Sequence, residues 1–252
     1  MKCSCGHEFE PEVRYKHRLL CGDSRDPAAV ALLMGGEKAA CMWTDPPYGV
    51  NYAGGTGMTI QNDNPEGLAE LLTRAFKAAE PFLIPGAPFY IAHPGRPLQL
   101  VFLTVLATIG WRVHEQLIWV KDSMVLGYSD YHYKHEPILY GWTPGGDRPG
   151  RGNSEGSHWY GDNAQVSVFE IPRPKASENH PTMKPPRLIM AQLQNSTRRL
   201  EIVFDGFLGS GSTMEAATCL DRRCFGIEIE EKYCAVILER MTVLGLTPEV
   251  IP

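Results

Sequence analysis

Between the apolar run Leu200-Glu-Ile-Val-Phe-Asp205 and a helical pattern that begins at Ser212, the chain places Gly206-Phe-Leu-Gly-Ser-Gly211. A strand that passes into a helix through glycines is a strong constraint, because such turns sit outside the carboxyl ends of strands in open α/β sheets, where ligands bind. Glycine lets the backbone come close to a ligand with no Cβ in the way. The rest of the chain has the same rhythm. Strand patterns are read at 18–21, 39–44, 87–92, 111–120, 136–142, 200–205 and 222–229. Helical patterns fall at 26–34, 66–80, 97–109, 186–197, 212–220 and 230–244. Asp26-Pro27 supplies an N-cap and a first-turn proline, and Gly35-Gly36 a stop. Strands alternating with helices of about ten residues predict an α/β fold, doubly wound, with a mostly parallel sheet and helices on both faces.

The identity of the turn narrows the ligand. A phosphate-binding loop needs a lysine after its last glycine, and Gly211 is followed by Ser212. A dinucleotide fingerprint needs a third glycine three residues further on, where this chain has Met214. Glu228 ends the next strand about twenty residues on, the usual place for a carboxylate that takes ribose hydroxyls. The turn therefore predicts a nucleoside without a pyrophosphate, a description that S-adenosylmethionine meets. A turn that only packs helix on strand is the bland alternative.

A second turn raises a related question. Asp45-Pro-Pro-Tyr48 follows the buried run Ala39-Ala-Cys-Met-Trp43, so it leaves the same edge of the sheet. Prolines fix φ and remove backbone donors, which leaves the carbonyls of Asp45 and Pro46 facing no competing N–H at Pro46 or Pro47. A carboxylate beside a fixed carbonyl suits an exocyclic amine with two protons to donate. Tyr48 adds a flat face for a base.

With both turns in view, the chain resembles the S-adenosylmethionine-dependent amino-methyltransferases of DNA, in the permuted beta class whose catalytic motif precedes the cofactor motif. Asp45-Pro-Pro-Tyr48 is similar to the catalytic motif, and Asp205-Gly-Phe-Leu-Gly-Ser-Gly-Ser-Thr213 to the cofactor loop, with Gly206 where the family more often has proline. The resemblance implies a Rossmann-like methyltransferase fold. It also implies catalytic roles for Asp45, Pro46, Pro47 and Tyr48. Cofactor contacts are implied from Asp23, Lys184, Asp205, Phe207, Gly209, Ser210, Gly211, Thr213 and Glu228. Asp23 would meet the adenine of S-adenosylmethionine, and the segment His180-Pro-Thr-Met-Lys-Pro185 would help to enclose its methionine moiety. The partner implied is double-stranded DNA, with the target base flipped out of the helix. Aspartate at the first motif position implies adenine N6, since serine is commoner in cytosine N4 enzymes. Cytosine N4, or an RNA or protein amide, stays open as an alternative target, and so does a non-catalytic DNA-binding regulator on the same fold.

Four segments follow: an N-terminal stub at 1–16, a catalytic half at 17–142, a candidate target-recognition insert at 143–179 and a cofactor half at 180–252. The insert carries Arg148, Arg151, Arg173 and Lys175 among aromatic residues; these would neutralise phosphates, or else form a solvated loop. Its shortness is compatible with a homodimer. Cys3-Ser-Cys5-Gly-His7 is either a degenerate zinc motif, with His17 or Cys21, or a frayed terminus, and no metal is expected. His135-Glu136 either borders the target pocket or forms a satisfied pair, and Lys121 has the same ambiguity. Composition fits a folded enzyme: 252 residues, 43% hydrophobic, with a net charge of −5 that argues against general coating of polyanions. Seven cysteines, several in apolar patterns, fit reduced core thiols of a cytosolic protein, and the resemblance implies the cytoplasm of a bacterial or phage-infected cell, in association with its nucleoid. No export signal or membrane-length apolar run is read.

Overall fold

A computed structural model describes residues 4, 6, 8, 16–50, 61, 63–95, 97–125, 130–146, 158–174 and 183–250. The strands are β1 (Arg18–Cys21), β2 (Cys41–Thr44), β3 (Pro88–Ala92), β4 (Arg112–Val125), β5 (Tyr133–Trp142), β6 (Val168–Glu170), β7 (Ile202–Asp205) and β8 (Arg223–Glu228). The helices are α1 (Pro27–Met34), α2 (Leu68–Ala79), α3 (Gln99–Thr108), α4 (Pro186–Ser196), α5 (Ser212–Cys219) and α6 (Glu231–Val243). None is long and apolar enough to cross a membrane.

The strands form one sheet in the order β1-β8-β7-β2-β3-β5-β4-β6. Every neighbouring pair is parallel except the two made by β5. Chain order runs outward in one direction from β2 to β3 and in the other from β7 to β8, so the β2–β7 junction is the topological switch point. Alternation along each strand feeds two cores. Cys41 and Trp43, Tyr90 and Ala92, and Val203 point to one face, packing with residues of α4, α5 and α6. Met42, Phe89, Ile91, Ile202 and Phe204 point to the other, against α1, α2 and α3. A sheet covered on both faces needs strands that are apolar throughout, which is why these runs show no polar alternation.

Local chemistry ends the elements where the sequence suggests. The Asp26 side chain accepts from the Ala28 N–H at the start of α1. Gly35, at φ 55°, closes α1 in the left-handed region. Arg18 donates from the neighbouring strand to the carbonyls of Leu33 and Met34 and lies 4.5 Å from the Phe225 ring centroid. At the N-terminus His17 is taken up by the fold: its Nδ1 accepts from the Cys224 N–H at 2.9 Å and its Nε2 meets Thr218 Oγ1 at 3.1 Å. Cys3, Cys5 and His7 lie outside the described residues.

One expectation needs correction. β4 and β5 extend beyond the apolar patterns, to Val125 and back to Tyr133, as a hairpin whose far end is polar. Part of the candidate recognition insert joins the sheet. Within it Val168–Glu170 pairs in parallel with β4 as the edge strand, and Trp159 and Phe169 pack on the core. Its Arg148, Arg151 and Lys175 lie outside the described residues.

One buried polar bond ties sheet to helix across 149 positions of sequence: Trp43 Nε1 donates to Gln192 Oε1 at 2.6 Å, with Trp43 and Gln192 each 1% exposed. Replacing Trp43 by Phe keeps the ring stacked in the core but strands the Gln192 amide. A loss of about 1–3 kcal/mol is expected from a buried acceptor without a partner, read from the shift in a urea unfolding midpoint; an unchanged midpoint would show that the bond contributes nothing.

Candidate active site

Four parallel strands, β1, β8, β7 and β2, end side by side, so the residues that follow them share one rim. Asp23 follows β1, Glu228 ends β8, Asp205 ends β7 and Asp45 follows β2. The antiparallel β5 begins at the same rim. Its register sets Glu136 opposite Trp119 of β4, two residues before Lys121. Residues separated by most of the chain therefore line a single open cleft.

The switch point is fixed by a hydrogen bond. Thr44 Oγ1 donates to Asp205 Oδ1 at 2.7 Å, and the Phe207 N–H donates to the same oxygen at 3.0 Å. Both bonds are made inside the fold, since Thr44 and Asp205 are each 1% exposed. Burial pushes the Asp205 carboxyl up to about 7, against the downward pull of hydrogen bonds from Thr213, Phe207 and Thr44.

The glycine turn then crosses Glu228. The Gly209 N–H donates to Glu228 Oε2 at 2.7 Å and the Glu230 N–H to Oε1 at 2.9 Å, which aims the carboxylate. Burial raises the Glu228 carboxyl above its ordinary range even against these two donors. Phe207, Gly209, Ser210 and Thr213 line the cleft. Gly211 does not. It has φ 84°, and a Cβ there would meet Ile237 Cγ1 at 3.0 Å, so its part is to start α5 and admit α6. Gly206 replaces the family's usual proline at a tight point, where a Cβ would lie 3.3 Å from that of buried Ser24. Asp23 lines the rim with both oxygens held by the Arg25 guanidinium, at 2.9 Å and 2.7 Å, which keeps its carboxyl low.

Around the proline turn lies a cluster of charges. Pro46 and Pro47 line the cleft with Asp45 and Tyr48. Tyr48 donates its hydroxyl to Asp45 Oδ1 at 2.9 Å. Lys184 Nζ donates to Asp45 Oδ2 at 2.6 Å and reaches Glu136 Oε2 at 3.0 Å. Lys121 pairs with the other oxygen of Glu136. Burial would raise Glu136, but the ammonium groups of Lys184 and Lys121 outweigh it and hold the carboxyl at about 2. Burial, with the Glu136 charge behind it, pushes Asp45 the other way, above its ordinary range, while Lys184 pulls against the rise. Lys184 itself is pushed up by Asp45 and Glu136 despite its burial, and stays charged.

Each site residue expected from the sequence is therefore at this rim or directly behind it, with two differences of placement. Gly211 faces α6, and the Lys184 ammonium sits on Asp45 and not on the glycine turn. Glu136 and Lys121, left ambiguous in the sequence, are in the cluster. Arg25, not singled out at all, clamps Asp23, and its position two residues further along the same turn was the one available signal.

Asp205 gives this rim a pH signature. Its carboxyl titrates near 3.8 when unfolded and near 7 when folded, so the folded state holds the extra proton between these values and stability falls as pH rises through that window. Asp205→Asn removes the titration. Urea midpoints measured across the window should decline less steeply with rising pH in the variant than in the wild type; parallel curves would contradict the assignment.

Comparisons with known proteins agree with this geometry. A family described as DNA methylase (N6_N4_Mtase) matches residues 39–239. The Type II methyltransferase M2.DpnII of Streptococcus pneumoniae is 23% identical over 229 residues, covering 81% of this chain and 83% of its own. The DNA adenine methyltransferase YhdJ of Escherichia coli (strain K12) is 36% identical over 81 residues, 31% of this chain and 28% of its own. Among solved structures, the M1.HpyAVI–SAM complex superposes with a TM-score of 0.64 at 20% identity, covering 89% of this chain and 100% of that one. The fold is the Rossmann-like methyltransferase fold, and the chain belongs to the DNA methylase family.

Proposed function

We propose that this DNA methyltransferase transfers the methyl group of S-adenosylmethionine to the exocyclic N6 amine of adenine in a short sequence of double-stranded DNA, as an enzyme of the permuted class. The observation that carries the reading is the single cleft in which the Asp45 turn and the Phe207–Glu228 side meet. Charge supports the methyl donor. Among the described residues the cleft is lined by Asp23, Asp45, Asp63, Asp205, Glu136, Glu228 and Glu230, against Arg25 and Lys184 alone, and both cations are paired. Such a lining repels a pyrophosphate and suits a ligand with a cationic sulfur. S-adenosylmethionine supplies, when bound, an electrophilic methyl group on that sulfur.

The chain's own residues then have defined tasks. Glu228 takes the ribose hydroxyls, and Asp23 faces the adenine moiety. Asp205, Phe207, Gly209, Ser210 and Thr213 form the wall that seats the rest, and Gly211 holds that wall against α6. Asp45 and the Pro46 carbonyl accept the two N–H protons of the target amine. This draws the nitrogen towards tetrahedral geometry and frees its lone pair from the ring. Tyr48 gives the base a surface on which to stack, and Pro47 fixes the turn between them. An amine that accepted the methyl group would carry one proton too many and would have to shed it. Asp45 is placed to take that proton, since its carboxyl is raised by burial. No covalent enzyme intermediate is involved.

Aspartate at the start of the proline turn favours adenine N6 over cytosine N4, and the match to an enzyme named a DNA adenine methyltransferase favours the same base. An intact acceptor cluster argues against a non-catalytic regulator. DNA phosphates would be met by the basic residues of the insert, of which Arg173 stands on the surface beside Asp122. A homodimer would extend so small a recognition surface.

The reading is tested by incubating the protein with methyl-labelled S-adenosylmethionine and duplex DNA, then separating the nucleosides. Label in N6-methyldeoxyadenosine is expected, and Asp45→Ala should lower the rate by about 100-fold or more. Label in N4-methyldeoxycytidine would overturn the choice of base, and near-normal turnover of Asp45→Ala would overturn the role of Asp45.

A further inference from the structure

An ammonium group carries three protons, and the Lys184 ammonium has three acceptors around it. Asp45 Oδ2 lies at 2.6 Å, Glu136 Oε2 at 3.0 Å and the Tyr48 hydroxyl at 3.2 Å. Its Nζ is also 5.4 Å from the centroid of the Tyr48 ring. Lys184 thus holds the carboxylate oxygen that the function proposed above gives to the target base, and meets the Tyr48 ring at its hydroxyl end. An amine that approached along the line the ammonium now holds would have to displace it. A base amine donating to Asp45 Oδ2 would arrive within van der Waals reach of a nitrogen that already points its protons at the same oxygen.

On the basis of that functional reading, we propose that Lys184 is the resident occupant of the amine seat, and that Glu136, fixed by Lys121, is the second carboxylate onto which Lys184 withdraws when the target base enters. The transfer is short, because Glu136 Oε2 already accepts from the same ammonium. Tyr48 spans the two seats, its hydroxyl 2.9 Å from Asp45 Oδ1 and 3.4 Å from Glu136 Oε2. Lys121 occupies the other oxygen of Glu136, so Oε2 is the one left for Lys184. The 5.2 Å approach of Lys121 Nζ to the Trp119 ring centroid anchors that side.

The exchange has an electrostatic rationale. Two carboxylates and two ammonium groups balance before the base enters, and the base is neutral, so its entry leaves no net charge stranded. Burial pushes the Asp45 carboxyl up, and the Lys184 ammonium opposes that rise. A cleft without this counter-ion would let Asp45 take up a proton and lose an acceptor. The titratable groups that face Asp45 are Tyr48 on its own turn, Glu136 from β5, Lys184 from the segment just before α4 and Asp205 from β7, with Lys121 of β4 behind Glu136. In this account Lys184 and Glu136 are positioning residues.

The test uses Glu136→Gln, Lys184→Met and the double variant, each assayed for methyl transfer to duplex DNA and for binding of S-adenosylmethionine alone. Glu136→Gln leaves Lys184 with Asp45 as its only carboxylate, and the KM for DNA should rise by about tenfold with cofactor affinity held within about twofold. Adding Lys184→Met removes the competing ammonium, and should bring the KM back towards the wild-type value on the alkaline plateau. Lys184→Met alone should move the acid limb of the rate profile to higher pH by about one unit, because Asp45 loses its counter-ion. A double variant as impaired as Glu136→Gln would overturn the proposal. So would a Lys184→Met protein with weakened cofactor binding and an unmoved acid limb, since that result would place Lys184 on the methyl donor. An active Asp45→Ala enzyme would instead fail the functional reading itself, so the two failures are distinguishable.

Discussion

The hydrogen bond from Thr44 to Asp205 joins the last residue of β2 to the last residue of β7, where the sheet's chain order reverses. Everything proposed for the site depends on that junction. The Asp45 turn begins one residue after Thr44, and the glycine turn begins one residue after Asp205. With both anchors buried and bonded to each other, the two turns cannot drift apart without breaking a contact shielded from water. The Phe207 N–H on the same carboxylate oxygen extends the tie into the turn itself. Parallel pairing of β2 with β7 makes the geometry possible, because only parallel neighbours end at the same edge.

The second organising feature is a division of charge within the cleft. On the β7–β8 side, Glu228 lines the cleft and is oriented by backbone N–H groups. On the β2–β5 side, two carboxylates and two ammonium groups compensate one another in a small volume. Buried ion clusters of this kind contribute little to stability, since desolvation offsets most of the attraction. Their value lies in fixing which groups are charged when a neutral base arrives. The chain's net charge of −5 fits the same picture: acidic side chains are concentrated in the cleft proposed to seat a cationic donor.

Much of this was legible in the sequence because the features responsible are local. Apolar runs bounded by glycine and proline revealed β2, β3, β7 and β8, and the glycine turn revealed the ligand edge. β6 could not be read, as three residues with exposed Val168 and Glu170 carry no pattern. The far ends of β4 and β5 were missed for a related reason: Lys121 to Ser123 and Tyr133 to His135 are polar, and the hairpin continues past the core from the Val120–His135 pair to the Val125–Tyr133 pair across an irregular stretch. The seat of Lys184 was invisible to sequence reasoning. Its bond to Asp45 spans 139 positions, and only the three-dimensional return of α4 to the β2 edge brings them together. The motif implies a cofactor contact for Lys184, whereas the geometry puts its ammonium on Asp45 and Glu136.

The central claim is that one rim has two separable halves, one that seats the methyl donor and one that holds the amine. Calorimetric titration of S-adenosylmethionine, without DNA, into the wild type, Glu228→Ala and Asp45→Ala tests it most directly. The account predicts binding weakened by about tenfold or more in Glu228→Ala, a cost of about 1.4 kcal/mol or more, with affinity preserved in Asp45→Ala. Equal losses in both variants, or a loss in Asp45→Ala alone, would contradict it.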